Sequence, residues 1–278
     1  MPSATIITGA SSGIGRELAL LLAEEGATLY LLGQNPERVS EVADLVEARG
    51  GTAHPHVCDL TNFEATEAWY REVVGQGVVI EALYHCVGRN TFGEVADLLM
   101  DDLEWVYQTN LLTAAQWVSL VYPDMAKRGG GTLVLLSSLS AYAGFPMATP
   151  YAASKQAMLA LGYSIWPEAA EVGVNFHIAC PGFVQTRIFE ASRFRDCDLA
   201  GVMQCIRKLG FPIMSADKAA RRLLKDVRRG KRLIIFPLYA KLMAFLGRRM
   251  PWFIDIFHRR VIRMLAEKST TPQPHGDA

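Results

Sequence analysis

Short apolar runs alternate along the chain with longer stretches in which apolar side chains recur every three or four positions. Runs such as ATIIT at 4–8 and TLVLLS at 132–137 have the length of buried strands and end at Gly or Ser. The longer stretches have the period of amphipathic helices. The pattern predicts strands over 4–8, 27–33, 52–57, 79–86, 132–137, 174–180 and 232–236. Helices are predicted over 14–25, 37–49, 61–74, 101–127, 152–172 and 216–229. Pro181-Gly182 closes the sixth strand, and Arg229-Gly230 turns the chain into the seventh. Such alternation predicts an α/β fold, a doubly wound parallel seven-stranded sheet with helices on both faces.

The first strand leads directly into GASSGIGRELALLLAEEG, so Gly9, Gly13 and Gly15 sit where a strand gives way to a helix. That is the context a nucleotide-binding glycine loop requires, as in a Rossmann fold. Gly9 allows the turn, Gly13 lets a pyrophosphate approach the backbone, and Gly15 lets the helix pack closely on the sheet. A flexible Gly/Ser turn before an ordinary helix is the plainer alternative for the loop alone. Further along, Tyr151 and Lys155 lie four residues apart in TPYAASKQAML, and Ser138 lies thirteen positions before Tyr151. Residues four apart share one helix face, so a phenol and an ammonium can point into one cleft, where the cation favours the phenolate. The phenol, with an ordinary pKa of about 10, then serves as proton donor and acceptor near neutrality. Taken alone, the pair could equally be surface neighbours on an amphipathic helix.

These motifs together resemble the short-chain dehydrogenase/reductase family in its compact single-domain branch, over about residues 3–237. TGASSGIG at 8–15 is similar to the family's TGxxxGxG, and PGFVQT at 181–186 to its PGxxxT nicotinamide loop. The resemblance implies a cofactor site made by Gly9, Ser11, Ser12, Gly13, Ile14, Gly15, Asp59, Leu60, Val87, Gly88, Pro181, Gly182 and Thr186, with Tyr151 and Lys155 shared with catalysis. It implies that Tyr151 supplies a proton, Ser138 a stabilising hydroxyl, and Asn110 a support for a proton-relaying water. Lys155 is implied to lower the Tyr151 pKa and hold the nicotinamide ribose, while Thr186 fixes the carboxamide. Where the family has NNAG, this chain has His85-Cys86-Val87-Gly88, which puts local rigidity in doubt because Cys86 lacks the hydrogen bonds of the second Asn.

Cofactor choice rests on LYLLGQNPERV at the end of the second strand. Gly33 stands at the position where an acid would accept from the ribose 2′-hydroxyl of NAD. NADP(H) is therefore favoured over NAD(H), with Gln34 beside the site and Arg38 or Arg16 as the nearest candidate cations. Arg38 as a solvated helix residue is the plainer alternative.

Composition adds three points. The five cysteines are odd in number without CxxC spacing, and the six histidines share no metal-ligand spacing, so neither disulfides nor a metal site are expected. MPSATIITG reaches the first strand within four residues, which reads as a cytoplasmic protein without a leader peptide. The net charge is zero, yet Arg221–Lys268 holds fourteen Lys and Arg against Asp226, Asp255 and Glu267. Within that region LYAKLMAFLGRRMPWFIDIFHRRVIRMLAEK interleaves apolar and basic residues, with no run long enough to span a bilayer.

The chain thus divides into a catalytic domain at 1–237 with an apolar lid at 183–213, a basic amphipathic extension at 238–268, and a polar tail at 269–278 expected to be disordered. The extension could contact a membrane peripherally, or pack over the cleft or a second subunit. Nucleic acid is not expected, since no recognition motif accompanies the charge. The expected activity is interconversion of a ketone and a secondary alcohol, on a lipophilic substrate that suits an apolar lid. A homodimer or homotetramer through the helices at 101–127 and 152–172 follows from the resemblance. A redox-silent nucleotide-binding protein and a membrane-associated scaffold are the alternatives on the same fold.

Overall fold

A computed structural model describes residues 2–269. The first half of the chain runs β1 (Ser3–Thr8), α1 (Gly13–Ala23), β2 (Thr28–Gly33), α2 (Pro36–Glu47), β3 (Thr52–Val57), α3 (Phe63–Gly75), β4 (Val79–His85) and a short β5 (Thr91–Phe92). Next come α4 (Met100–Tyr107), a π-helical turn (Gln108–Leu112), α5 (Thr113–Lys127), β6 (Gly131–Leu136), α6 (Ser140–Ala143), α7 (Thr149–Glu171) and β7 (Val174–Pro181). The remainder is β8 (Val184–Gln185), β9 (Arg193–Phe194), α8 (Leu199–Lys208), β10 (Met214–Ser215), α9 (Ala216–Arg228), β11 (Leu233–Phe236), α10 (Leu238–Arg249) and α11 (Pro251–Ser269).

The seven expected strands form one parallel sheet in the order β11-β7-β6-β4-β1-β2-β3. Central strands are buried on both faces, which is why they read as continuous apolar runs. The edge strand β3 is mostly exposed and carries Pro55, which cannot donate to a ladder and is tolerated only at such an edge. Helices α1, α2 and α9 cover one face of the sheet, burying Leu18, Val39 and Leu223. On the other face α3, α5 and α7 bury Tyr70, Trp117 and Met158. Each such side chain contributes about 1.5–3 kcal/mol when fully removed from water.

From β1 the chain winds one way through β2 and β3, then returns and winds the other way through β4, β6 and β7. The reversal lies between β1 and β4, and it opens a crevice beyond their carboxyl ends. Two differences from the sequence reading matter for that crevice. The expected helix over 101–127 is interrupted by the π turn at Gln108–Leu112. The lid region holds two small strand pairs, β5–β9 and β8–β10, and the helix α8. The extension after residue 237 forms α10 and α11, and these pack against α6 and α8. Of the expected polar tail, residues 270–278 lie outside the described residues.

Candidate active site

The crevice is one continuous cleft of about 420 Å³ that runs from the glycine loop to α11. At the loop, Gly9 and Gly13 have φ of +68° and +57°, in the left-handed region that favours glycine. A Cβ on Gly15 would lie 2.5 Å from the Gly9 carbonyl oxygen, and one on Gly13 would lie 3.0 Å from Thr186 Cγ2. The glycines therefore let strand, helix and the 181–186 loop close on one another. Ser12 caps α1 through its backbone alone, without a side-chain bond to the first-turn amides. Those amides, together with the positive end of the helix, suit a phosphate. Ser11, Ser12, Ile14, Val87, Gly88, Pro181, Gly182 and Thr186 line the same cleft. The residues present thus fit a dinucleotide cofactor.

At the centre of the cleft stand Ser138, just past β6, and Tyr151 and Lys155, one turn apart on α7. Ser138 and Tyr151 line the same stretch of the cleft, and Ser138 Oγ accepts from Ser140 N at 3.1 Å. Lys155 Nζ donates to the Leu136 carbonyl at 2.8 Å and lies 5.7 Å from the Tyr151 ring centroid. Burial pushes the Tyr151 phenol up to about 12, with the polar Ser138 side chain nearby acting against it. Burial also pulls the Lys155 ammonium down to about 8. Burial, not Lys155, is the largest influence on the Tyr151 phenol in this structure. The ammonium is held by the Leu136 carbonyl, and removal of both groups from water dominates their titration.

Asn110 sits in the π turn and clamps the backbone of Arg89 from both sides. Its Oδ1 accepts from Arg89 N at 2.7 Å, and its Nδ2 donates to Arg89 O and to Ser154 Oγ, each at 2.9 Å. Ser154 Oγ in turn donates to the Tyr151 carbonyl at 2.8 Å. Asn110 therefore ties the strand-end loop after β4 to the helix that carries Tyr151. Both Nδ2 hydrogens are committed in that role, while Oδ1 keeps a second lone pair and the backbone of the turn is available beside it.

The departure at His85 resolves into a second clamp. Thr113 Oγ1 donates to the Thr109 carbonyl at 2.5 Å, so it can only accept from His85 Nε2, 3.2 Å away. The ring is then the Nε2–H tautomer, and its Nδ1 accepts from Thr8 Oγ1 at 2.9 Å. Thr8 Oγ1 accepts from Cys86 N at 3.3 Å, completing a chain from α5 through β4 to β1. Burial and nearby Lys155 drive the His85 pKa down to about 3, so the neutral ring this chain needs is the stable one. The rigidity lost with the family's asparagines is supplied by Thr8, His85 and Thr113.

At the far end of the crevice Gln34, Arg38, Asp59 and Leu60 line the wall beside Gly33. Asp59 is held by Thr61, its Oδ1 accepting from the backbone N at 3.0 Å and the hydroxyl at 2.8 Å. Burial draws its pKa upward, but the bonds from Thr61, the nearby Gln34 amide and Arg89 outweigh that and leave it below the usual range. Arg16 does not line the cleft and pairs with Glu17 at 2.7 Å and Glu41 at 3.8 Å. Arg89, which the sequence reading did not single out, donates to Gln34 Oε1 at 2.8 Å and lines the cleft near Arg38. Its place just after β4, on the crevice side, was the available signal. Arg38 Nε is buried without a hydrogen-bond partner. A Cβ at Gly33 would lie 2.8 Å from Val39 Cγ2 and 3.2 Å from Ser11 Cβ, so a larger side chain there must push those side chains aside.

Beyond Tyr151 the cleft widens into an apolar chamber. Phe92 packs on Phe145, Phe189 and Phe194 at centroid separations of 6.5, 6.2 and 5.6 Å. Phe183 and Phe211 continue the wall, and Met243 of α10 and Phe257 of α11 close its end. The lid strand β9 is fastened to α4 by the buried Asp102, which accepts two hydrogen bonds of 2.9 Å from Arg195 and one of 3.3 Å from Arg193. Tyr239 of α10 reaches into the 181–186 loop and donates no bond there; its hydroxyl accepts from Phe183 N at 2.6 Å. A Cβ on Gly182 would overlap that hydroxyl. Neither Asp102 nor Tyr239 carries a sequence signal that separates it from ordinary helix residues.

Comparison with known proteins bears on this arrangement. A family model described as short chain dehydrogenase matches residues 3–196. Ketoacyl reductase HetN of Nostoc sp. is 29% identical over 198 residues, covering 71% of this chain and 69% of HetN. A 3beta-hydroxysteroid dehydrogenase of Mediterraneibacter gnavus is 32% identical over 193 residues, covering 67% of this chain and 68% of that protein. The structure of a short-chain dehydrogenase from Sphingobium yanoikuyae in complex with NADPH superposes with a TM-score of 0.75. It covers 92% of this chain and 96% of that one at 24% identity, a likeness of fold alone. The family match ends at 196, so α8 and everything after it lie beyond that match.

Proposed function

The chain belongs to the short-chain dehydrogenase family of NAD(P)-dependent oxidoreductases, and on that premise we propose that it reduces a lipophilic ketone to a secondary alcohol with NADPH. The observation that carries this reading is the joining of Ser138, Tyr151 and Lys155 to an aromatic-walled chamber within one cleft. When bound, the reduced nicotinamide supplies the hydride that the carbonyl carbon accepts. Negative charge then develops on the carbonyl oxygen, where a hydrogen bond and a proton are needed. Ser138 Oγ–H would donate the hydrogen bond, and Tyr151 Oη–H would donate the proton. The raised phenol is protonated at neutral pH, the form a proton donor requires. Lys155 would hold the ribose and offset the phenolate left after proton transfer.

NADPH is favoured by the cations at the far end of the crevice. Arg38 and Arg89 converge beside Gly33, where an acid would repel a 2′-phosphate, and the unpartnered Arg38 Nε is a donor in need of an acceptor. The apolar chamber supports a ring or chain ketone over a polar one.

The test is ketone reduction by wild type and Tyr151→Phe, with NADPH and NADH in competition. Turnover of an apolar ketone should fall by roughly 10²–10⁴-fold in the variant, while NADPH affinity stays near the wild-type value. Substantial reduction by the variant would sink the acid role of Tyr151. A wild-type preference for NADH would refute the reading of Arg38 and Arg89.

A further inference from the structure

The helices α10 and α11 meet at Met250–Pro251 and present two different faces. The inner face is Tyr239, Ala240, Met243, Ile254, Phe257 and Val261, which pack on α6, α8 and the end of the cleft. The outer face should be polar by the same logic, and it is not. Leu242 and Phe245 before the elbow, and Trp252 and Ile256 after it, are each 58–59% exposed. They alternate with exposed cations, Lys241, Arg248, Arg249, Arg259, Arg260 and Arg263. Asp255 is the one acid among the described side chains of the pair, and it is already bonded to Arg259 at 2.8 Å.

Large apolar groups left in water beside cations need an occupant that takes both. A second copy of the chain meets the apolar groups but not the charges: a two-fold contact sets the same basic patch against itself. An anionic lipid surface satisfies both, since Trp, Phe and Ile enter the headgroup boundary while Lys and Arg stay with the phosphates. Among the described residues no helix is long and apolar enough to cross a membrane, so the contact is one of lying on the surface.

We infer that the α10–α11 pair is a docking site for an anionic membrane surface, set so that its inner face is the end wall of the substrate cleft. Met243 and Phe257 line the cleft on helices whose outer sides hold Leu242, Phe245 and Ile256. A lipophilic substrate dissolved in the bilayer then has a short route to the chamber. That last consequence rests on the ketone-reductase reading; the docking itself does not.

The experiment is co-sedimentation of the full chain with vesicles of phosphatidylcholine alone and of phosphatidylcholine with phosphatidylserine, with no substrate or cofactor present. Binding should need phosphatidylserine and weaken as salt is raised. Trp252→Ser with Phe245→Ser should remove binding, and Arg248→Gln with Arg249→Gln should weaken it on the order of five-fold per charge. Reduction of a small water-soluble ketone should be unchanged in both variants, which shows that they are folded and separates this idea from the reading of the active site. Absence of vesicle binding, or binding indifferent to phosphatidylserine and salt, overturns the inference. So does a dimer, seen by sedimentation velocity in wild type and lost in the Trp252 and Phe245 variant, that fails to bind vesicles.

Discussion

Lys155 is a buried ammonium with a single backbone acceptor, and its burial has an energetic cost that the fold retains. Its folded pKa of about 8 lies below the ordinary 10.5. Below pH 8 the side chain is charged in both folded and unfolded states, and the folded state bears the whole desolvation penalty. Between about 8 and 10.5 the unfolded chain binds the proton that the folded one has shed, so stability rises with pH through that window. The penalty at neutral pH is about 3 kcal/mol, of which about 1–3 kcal/mol returns if the Leu136 carbonyl is left unpaired. Lys155→Met in the cofactor-free protein should therefore melt at or above the wild-type temperature at pH 7, while losing turnover. The advantage should shrink as pH is raised through the window, and a gap that does not change with pH would disprove the shift. At this scale the sequence was informative about which residues meet, because spacing on a helix is geometry. It was silent on burial, which dominates the titration of the phenol and the ammonium, because spacing carries no information on depth. The same holds for Arg38 against Arg16: both are cations near the loop, but only the placement of Glu17 and Glu41 shows that Arg16 is already engaged.

Among the elements, the strands were legible and the helix over 101–127 was only partly so. A buried parallel strand is an uninterrupted apolar run, and its ends are marked by Gly and Pro. A π turn adds one residue to a helix without changing its composition, so apolar residues on either side keep a helical look while the register between them slips. That slip is what brings Asn110 against Arg89 and Ser154. Asp102, two turns earlier, reads in sequence as a first-turn acid of α4, and its Oδ2 does accept from Leu99 N at 3.1 Å. Its other role is the latch on β9. The hydrogen bonds from Arg195 bring its pKa down to about 2 against the pull of burial, so the stability it contributes is complete above the ordinary 3.8 and is lost as pH falls toward 2. Asp102→Ala should destabilise the protein by about 1–3 kcal/mol and free β9 first. Hydrogen exchange at the amides of Arg193 and Arg195, which bond Asn90 O at 3.0 Å and Phe92 O at 2.8 Å, should accelerate more than exchange in the central sheet. The KM for a bulky ketone should rise while kcat for a small one is kept. Unchanged exchange at those two amides would leave the latch without a role.

For the whole molecule, the open question in sequence was where the basic extension goes, because one amphipathic pattern serves equally for a helix that packs inward and one that faces a membrane. The structure shows it doing the first with α6 and α8, and the consequence reaches the cofactor loop. Tyr239 stacks on Phe211 at 4.8 Å and holds Phe183 N, so α10 braces the 181–186 loop from outside the sheet. Removing residues 238–278 would therefore do more than widen the entrance. It would expose Ala143 and Phe211, take Met243 and Phe257 from the chamber wall, and leave the Phe183 amide unpaired. The expected result is a lower melting temperature together with raised KM for both cofactor and apolar ketone. Tyr239→Phe separates the two effects, since it keeps the ring and its stacking and loses only the hydroxyl. It should cost about 1–2 kcal/mol, the price of one partly buried amide without its partner, and raise the KM for cofactor while leaving that for the ketone nearly unchanged. Melting curves and steady-state kinetics on the two proteins decide the matter: if the truncated chain melts with the wild type and binds cofactor as well, α10 and α11 are an appendage and not part of the catalytic unit.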